Sequence, residues 1–339
     1  MRRCCHTGAR QLTWFNALHK VSIRNPSGIH RHGRSDRSDR IHRLRAIIVA
    51  NINLVSISPG QLVGNDHNGG YDLNKFDRKF LAQGDSWFSI GHFPPWSTTN
   101  LLQQMVLTRS CVAVNCARPG EEIAHMLDTS SQQEFLRLIN GVLAWKWDAI
   151  LMSGGGNDLI DALNANPNAG LNARLLLRSD EWPATAGGIA RYISEPGWNT
   201  FISHIEGVLL RLLGQRDKDV NRDTPLFLHT YDRLTPRNAP AGPGLGPWLY
   251  KALHDSYQIP ALDWVALSDE FIDRLAGMWF ALGAKYAARN VRIVDTRNST
   301  IRAVEGTSGT SNDWENEIHP TPHGYAQLAR AWRPALDAV

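Results

Sequence analysis

From about residue 77 onward, short apolar runs alternate with stretches of helical period, and most of the runs end in a turn signal. The runs are KFLAQGDS (79–86), SCVAVNCA (110–117), DAILMSGGGND (148–158), PLFLHTYD (225–232) and VRIVDT (291–296). Short apolar runs bounded by turn signals read as strands. The intervening stretches predict helices over 98–108, from 119 (PGEEIAHML), and over 130–146, 198–215, 247–257 and 267–288. A last helix is expected over 323–336, with Pro334 ending or kinking its final turn. Strands separated by helices predict an α/β chain, a three-layer α/β/α sandwich around a parallel five-stranded sheet. Such sheets place their sites beyond the carboxyl ends of the strands. Ser86, Gly120, Asn157 and Asp232 all fall at or just after a predicted strand end.

The first seventy residues are different in kind. Residues 1–45 carry eleven Lys/Arg against two acids, so the remainder of this +4 chain is mildly acidic. The basic character therefore belongs to one end, which argues against a uniformly basic nucleic-acid binder. Residues 1–70 read as a disordered or non-native extension, and 71–339 as the folded domain. Four cysteines, with no CxxC pair, predict neither a disulfide framework nor a zinc site. A cytoplasmic location fits this usage. A secretory signal is the competing reading, since Arg43 and Arg45 precede an apolar run over 46–57, but Asn51 and Asn53 interrupt it. No apolar stretch is long enough to span a membrane.

Two long segments, 158–197 and the Pro/Gly-dense 233–247, read as insertions, and loops of that length are often functional. The chemistry concentrates in four ordered blocks: GDSW with Ser86, NCARPG with Gly120, GGGND with Asn157, and NEIHPTPHGY with His319. Together they resemble the four blocks of the GDSL/SGNH hydrolases over roughly residues 77–336. The resemblance implies a flavodoxin-like sheet and a serine esterase or lipase working through an acyl-enzyme without metal or organic cofactor. It implies Ser86 as nucleophile and His319 as base. The backbone N–H groups of Ser86 and Gly120 and the side-chain amide of Asn157 are the implied oxyanion donors. The physics agrees: a serine hydroxyl needs a base, imidazole suits that task near neutrality, and developing oxyanion charge needs fixed donors.

The third member of the triad departs from the pattern. Many relatives carry Asp three residues before the His, and here that position is Asn316. Asp313 could supply a carboxylate if the loop folds back, Asn316 could orient the imidazole as an acceptor, and a backbone carbonyl could do the same. His323 is a nearby rival to His319. Trp87, His229, Tyr231 and Asp232 are candidate substrate-binding residues, with Trp96, Trp248 and Trp314 also near the site end. The partner expected is a small-molecule or lipid ester. Transfer to an alcohol acceptor, thioester hydrolysis, and a catalytically silent binding protein of the same fold are the alternatives. There is no GxSxG elbow, phosphate-binding GxxxxGK[ST] loop or HExxH pair.

Overall fold

The computed structural model describes residues 51–63, 71–89, 99–128, 133–141, 143–184 and 187–339. The strands are β1 (Ile52–Asn53), β2 (Val55–Ile57), β3 (Arg78–Gly84), β4 (Val106–Leu107), β5 (Cys111–Asn115), β6 (Ala149–Ser153), β7 (Leu226–His229) and β8 (Val291–Val294). Six of them form one sheet in the order β2-β5-β3-β6-β7-β8, and every pairing in it is parallel. β1 and β4 pair antiparallel as a separate two-stranded ribbon.

The five expected strands are all present, and their order places β3 between its successors β5 and β6. The chain reverses direction across the sheet there, so a crevice opens at the carboxyl end of β3. All five residues of β6 and all four of β7 are buried, as the continuous apolar runs demand.

The sheet has six strands rather than five. β2 pairs with β5, with Val55 opposite Val112 and Ile57 opposite Val114. Residues 52–57, read from the sequence as part of the extension, thus contribute to the sheet and its neighbouring ribbon. Within that extension, residues 59–63 also form a short helix, and 1–50 and 64–70 lie outside the described residues.

The principal helices are α1 (Pro59–Val63), α2 (Ser86–Ser89), α3 (Gln133–Asn140), α4 (Gly156–Leu163), α5 (Glu195–Arg216), α6 (Trp264–Lys285) and α7 (Pro322–Asp337). α3, α5 and α6 join β5 to β6, β6 to β7 and β7 to β8, and the right-handed rule for such parallel crossovers sets them on one face. Trp198 of α5 meets Phe271 of α6 there. α7 returns over the other face, with Trp332 against Phe88, Phe227 and His229. Pro334 sits inside α7, which continues to Asp337, so it does not end the helix.

Three helix expectations change. Over 99–108 the described chain is a turn followed by β4; Leu101, Leu102, Met105 and Leu107 are buried at helical spacing without a helix. After Pro119 the chain turns and forms only a 3-10 turn at His125–Leu127. Residues 251–256 form a π-helical turn. Among the described residues no helix is long and apolar enough to cross a membrane.

Candidate active site

β3 ends at Gly84, Asp85 makes the turn, and Ser86 opens α2. Gly84 lies opposite Ser153 of β6. A Cβ at 84 would sit 2.8 Å from both the Cβ and the carbonyl oxygen of Ser153, so only glycine fits. Asp85 then caps α2. Its Oδ1 accepts from Trp87 N at 3.0 Å, and its carbonyl oxygen accepts from Phe88 N at 3.2 Å and Ser89 N at 3.1 Å. The Ser86 N–H falls in the first turn, where backbone donors have no intrahelical acceptor.

Ser86 Oγ lies 2.9 Å from His319 Nε2. On the far side of the ring, Nδ1 lies 3.1 Å from Asn316 Oδ1. The same oxygen accepts from His319 N at 3.0 Å and Ile318 N at 3.1 Å. Two backbone N–H groups can be met only by the oxygen of the amide, so they fix its orientation. Nδ1 must then carry the proton, and Nε2 presents its lone pair to the serine hydroxyl. Burial holds the imidazole down to about 4, so it is neutral near pH 7 and free to accept a proton.

The loop bearing these residues is tied down from the insertion. Arg237, itself buried, donates from Nη2 to the Asn316 carbonyl at 2.7 Å. The buried Glu317 carboxylate accepts from the backbone N–H groups of Arg237 (3.1 Å), Leu249 (2.9 Å), Tyr250 (2.7 Å) and Trp248. Trp248 sets its ring edge-on to His319, with centroids 5.6 Å apart. The expectation that Asp313 could reach His319 is not met. Its Oδ2 accepts from Ile301 N at 2.7 Å, and its Oδ1 pairs with Nδ1 of His323, also at 2.7 Å. The two candidate carboxamide/carboxylate residues thus serve the two candidate histidines separately.

Asn157 lies in the first turn of α4 and shares a cavity with Ser86. Its Nδ2 donates to the carbonyl of Glu121 at 3.1 Å, which leaves a second N–H on that nitrogen. Gly120 precedes Glu121 in an exposed turn at φ +73° and does not line the cavity. Asp158 Oδ2 accepts from Ile123 N at 3.0 Å. Neighbouring side chains of α4 therefore hold both ends of the loop that follows Gly120.

Of the remaining candidates, Trp87 and Tyr231 line the cavity, while His229 and Asp232 do not. Asp232 is buried and accepts from Asn298 N (2.6 Å), Thr300 N (2.8 Å) and Thr300 Oγ1 (2.9 Å), so it anchors the loop after β8. Trp314 donates to Thr300 Oγ1 at 3.1 Å in the same region. Trp96 lies outside the described residues.

His229 belongs to a buried network beneath Ser86. Tyr231 N donates to its Nδ1 at 3.3 Å, so Nε2 carries the proton and faces Ser153 Oγ at 2.9 Å. Ser153 donates onward to Asp85 Oδ1 at 2.7 Å, and the Tyr231 hydroxyl donates to Asp85 Oδ2. Burial pushes the Asp85 carboxyl up to about 6 and the His229 imidazole down to about 3. Asp85 was visible in the GDS motif and Tyr231 among the candidates, but the contacts that join Asp85 to Ser153 and Tyr231, and Glu317 to Arg237 and residues 248–250, link positions remote in sequence and carry no local signal.

Comparison with solved structures gives matches to an extracellular lipase from Streptomyces rimosus and a phospholipase A1 from Streptomyces albidoflavus. The lipase is 15% identical with a TM-score of 0.41, over 77% of this chain and 99% of the other. The phospholipase is 14% identical with a TM-score of 0.39, over 77% and 98%. An acetylxylan esterase from Geobacillus stearothermophilus is 15% identical with a TM-score of 0.37, over 76% and 92%. No protein-family model matches the chain, and no curated protein matches it.

Proposed function

We propose that the protein hydrolyses carboxylic esters through an acyl-enzyme formed on Ser86. The observation that carries this reading is the hydrogen-bonded chain from Ser86 Oγ through His319 to Asn316, in which the backbone fixes the tautomer a general base requires.

In the first half, Ser86 Oγ attacks the ester carbonyl carbon while its proton passes to His319 Nε2. The carbonyl π electrons move onto oxygen, for which the Ser86 N–H, the Asn157 amide and the Gly120 N–H are the proposed donors. The intermediate collapses, the C–O bond to the alcohol breaks, and His319 gives its proton to the leaving alkoxide. In the second half, water loses a proton to His319 and attacks the acyl carbon. The acid leaves and Ser86 regains its proton. Asn316 keeps the ring in its working tautomer but adds no negative charge to stabilise the imidazolium, unlike a carboxylate.

A fluorophosphonate probe tests the reading. Mass analysis is expected to find one adduct on the peptide containing Ser86, absent from Ser86→Ala and slowed at least about a hundredfold in His319→Ala. A probe that labels elsewhere, or that labels Ser86→Ala equally, contradicts it.

A further inference from the structure

The two helices whose first turns carry Ser86 and Asn157 meet at one side chain. Asp85 caps α2 through its carboxylate. The cap position of α4 is Gly155, at φ +93°, and it offers no side-chain acceptor to the first turn. Tyr231, two residues past the end of β7, stands in that place. A Cβ on Gly156 would sit 2.7 Å from Tyr231 Cζ and 3.1 Å from its hydroxyl oxygen, so the ring lies directly against the start of α4. The Gly156 N–H is directed at the same oxygen.

That hydroxyl also reaches the other helix. It donates to Asp85 Oδ2, while Asp85 Oδ1 accepts from Trp87 N at 3.0 Å in α2. One phenolic oxygen thus spans from the start of α4 to the cap of α2. Its proton is committed to Asp85, so it is no donor to a substrate oxygen. Holding the ring there takes an unusual backbone. Tyr231 has φ +61°, a left-handed conformation that a bulky residue rarely adopts. Thr296 Oγ1 secures it by donating to the Tyr231 carbonyl at 2.9 Å, and Tyr231 N donates to His229 Nδ1 at 3.3 Å. Trp87 packs edge-on to the ring, with centroids 5.0 Å apart. Core filling alone does not call for that backbone; aiming the ring between Asp85 and Gly156 does.

We propose that Tyr231 is a positioning residue that sets the separation of the Ser86 N–H from the Asn157 amide, two donors that must meet the oxyanion together. It acts through Asn157 and touches no reacting atom. The proposal rests on the hydrolase reading for the chemistry, and on the Asp85–Tyr231–Gly156 contacts for the coupling. A group about 1 Å out of place loses on the order of a hundredfold in rate.

The test is a double-mutant cycle on the full chain with p-nitrophenyl acetate, corrected for spontaneous hydrolysis: Tyr231→Phe, Asn157→Ala and the pair. Tyr231→Phe keeps the ring and removes only the hydroxyl. It is expected to lower kcat about 10- to 100-fold with KM within about 3-fold of the parent. In the Asn157→Ala background the same change is expected to cost less than about 3-fold, because the donor it positions is already gone. An equal loss in both backgrounds, a rise in KM alone, or an unchanged kcat in folded Tyr231→Phe overturns the positioning role and leaves the hydrolase standing. If the parent shows no Ser86-dependent ester turnover, the hydrolase reading fails and the positioning role with it. Should Tyr231→Phe not fold, Gly156→Ala, which presses a methyl on the ring from the α4 side, carries the same cycle with the same expectations.

Discussion

Asn316 Oδ1 stands 3.1 Å from His319 Nδ1 while accepting from two backbone N–H groups of the same loop. The acceptor is therefore locked before the imidazole is considered, and the ring has one tautomer open to it. This gives orientation without charge. With no carboxylate to oppose desolvation, burial alone sets the basicity of His319, which falls to about 4.

The pH profile follows from that. His319 must be unprotonated to act, so kcat/KM falls as pH drops through its pKa, and the acid limb is expected well below the ordinary histidine value of 6.5. Asn316→Asp places a negative charge beside Nδ1, which favours the imidazolium and raises the pKa. The acid limb is expected to move up by about 1 to 3 units. Asn316→Leu removes the tautomer lock and is expected to lower kcat about a hundredfold or more. Steady-state kinetics from pH 3.5 to 9 measures all three.

Asp313→Ala is expected to leave ester turnover within a few-fold of the parent, because Asp313 pairs with His323 and Ile301 N rather than with His319. Its effect is on stability: the Ile301 N–H loses its acceptor, at about 1–3 kcal/mol. Denaturant titration beside the ester assay separates the two. A loss of turnover like that of Asn316→Leu would mean that Asp313 reaches His319 after all.

Asn157→Ala is expected to lower kcat by about 100- to 1000-fold with KM changed only a few-fold, as befits a donor that acts on the oxyanion more than on the ground-state carbonyl. A rise in KM at unchanged kcat would make Asn157 a ground-state binding residue instead.

Glu317 never touches the imidazole, yet it joins the loop of His319 to residues 248–250 through backbone donors. In Glu317→Gln the NH2 must face donors that a carboxylate oxygen met. A destabilisation of about 2–4 kcal/mol is expected, with reduced turnover because the same loop holds His319. Urea unfolding followed with ester turnover checks both.

The sequence reading reached far where burial left a mark. β5, β6 and β7 lie inside the sheet and are apolar throughout, so their runs stood out. β2 is three residues at the sheet edge, at the end of the apolar run over 46–57 that Asn51 and Asn53 interrupt, and that run was weighed as a secretory signal rather than as a strand. Leu101, Leu102, Met105 and Leu107 show the opposite error: helical spacing of buried residues was produced by a turn and a strand. In the candidate site, Ser86, Asn157 and His319 could be named because each lies in a block that carries the resemblance, and the hydrogen bond between Ser86 and His319 brings two of those blocks together. The choice between Asn316 and Asp313 was not legible, since it depends on which way a loop folds back. His229 and Asp232, adjacent to the site in sequence, face away from the cavity because they satisfy buried partners from other strands and loops.

The central claim stands on Ser86. Turnover of p-nitrophenyl acetate by the wild type and by Ser86→Ala, both checked for equal melting temperature, measures it directly. The expected result is a loss of at least about a thousandfold in kcat with the fold intact. Turnover by Ser86→Ala at the wild-type rate would contradict the account and remove the nucleophile from it.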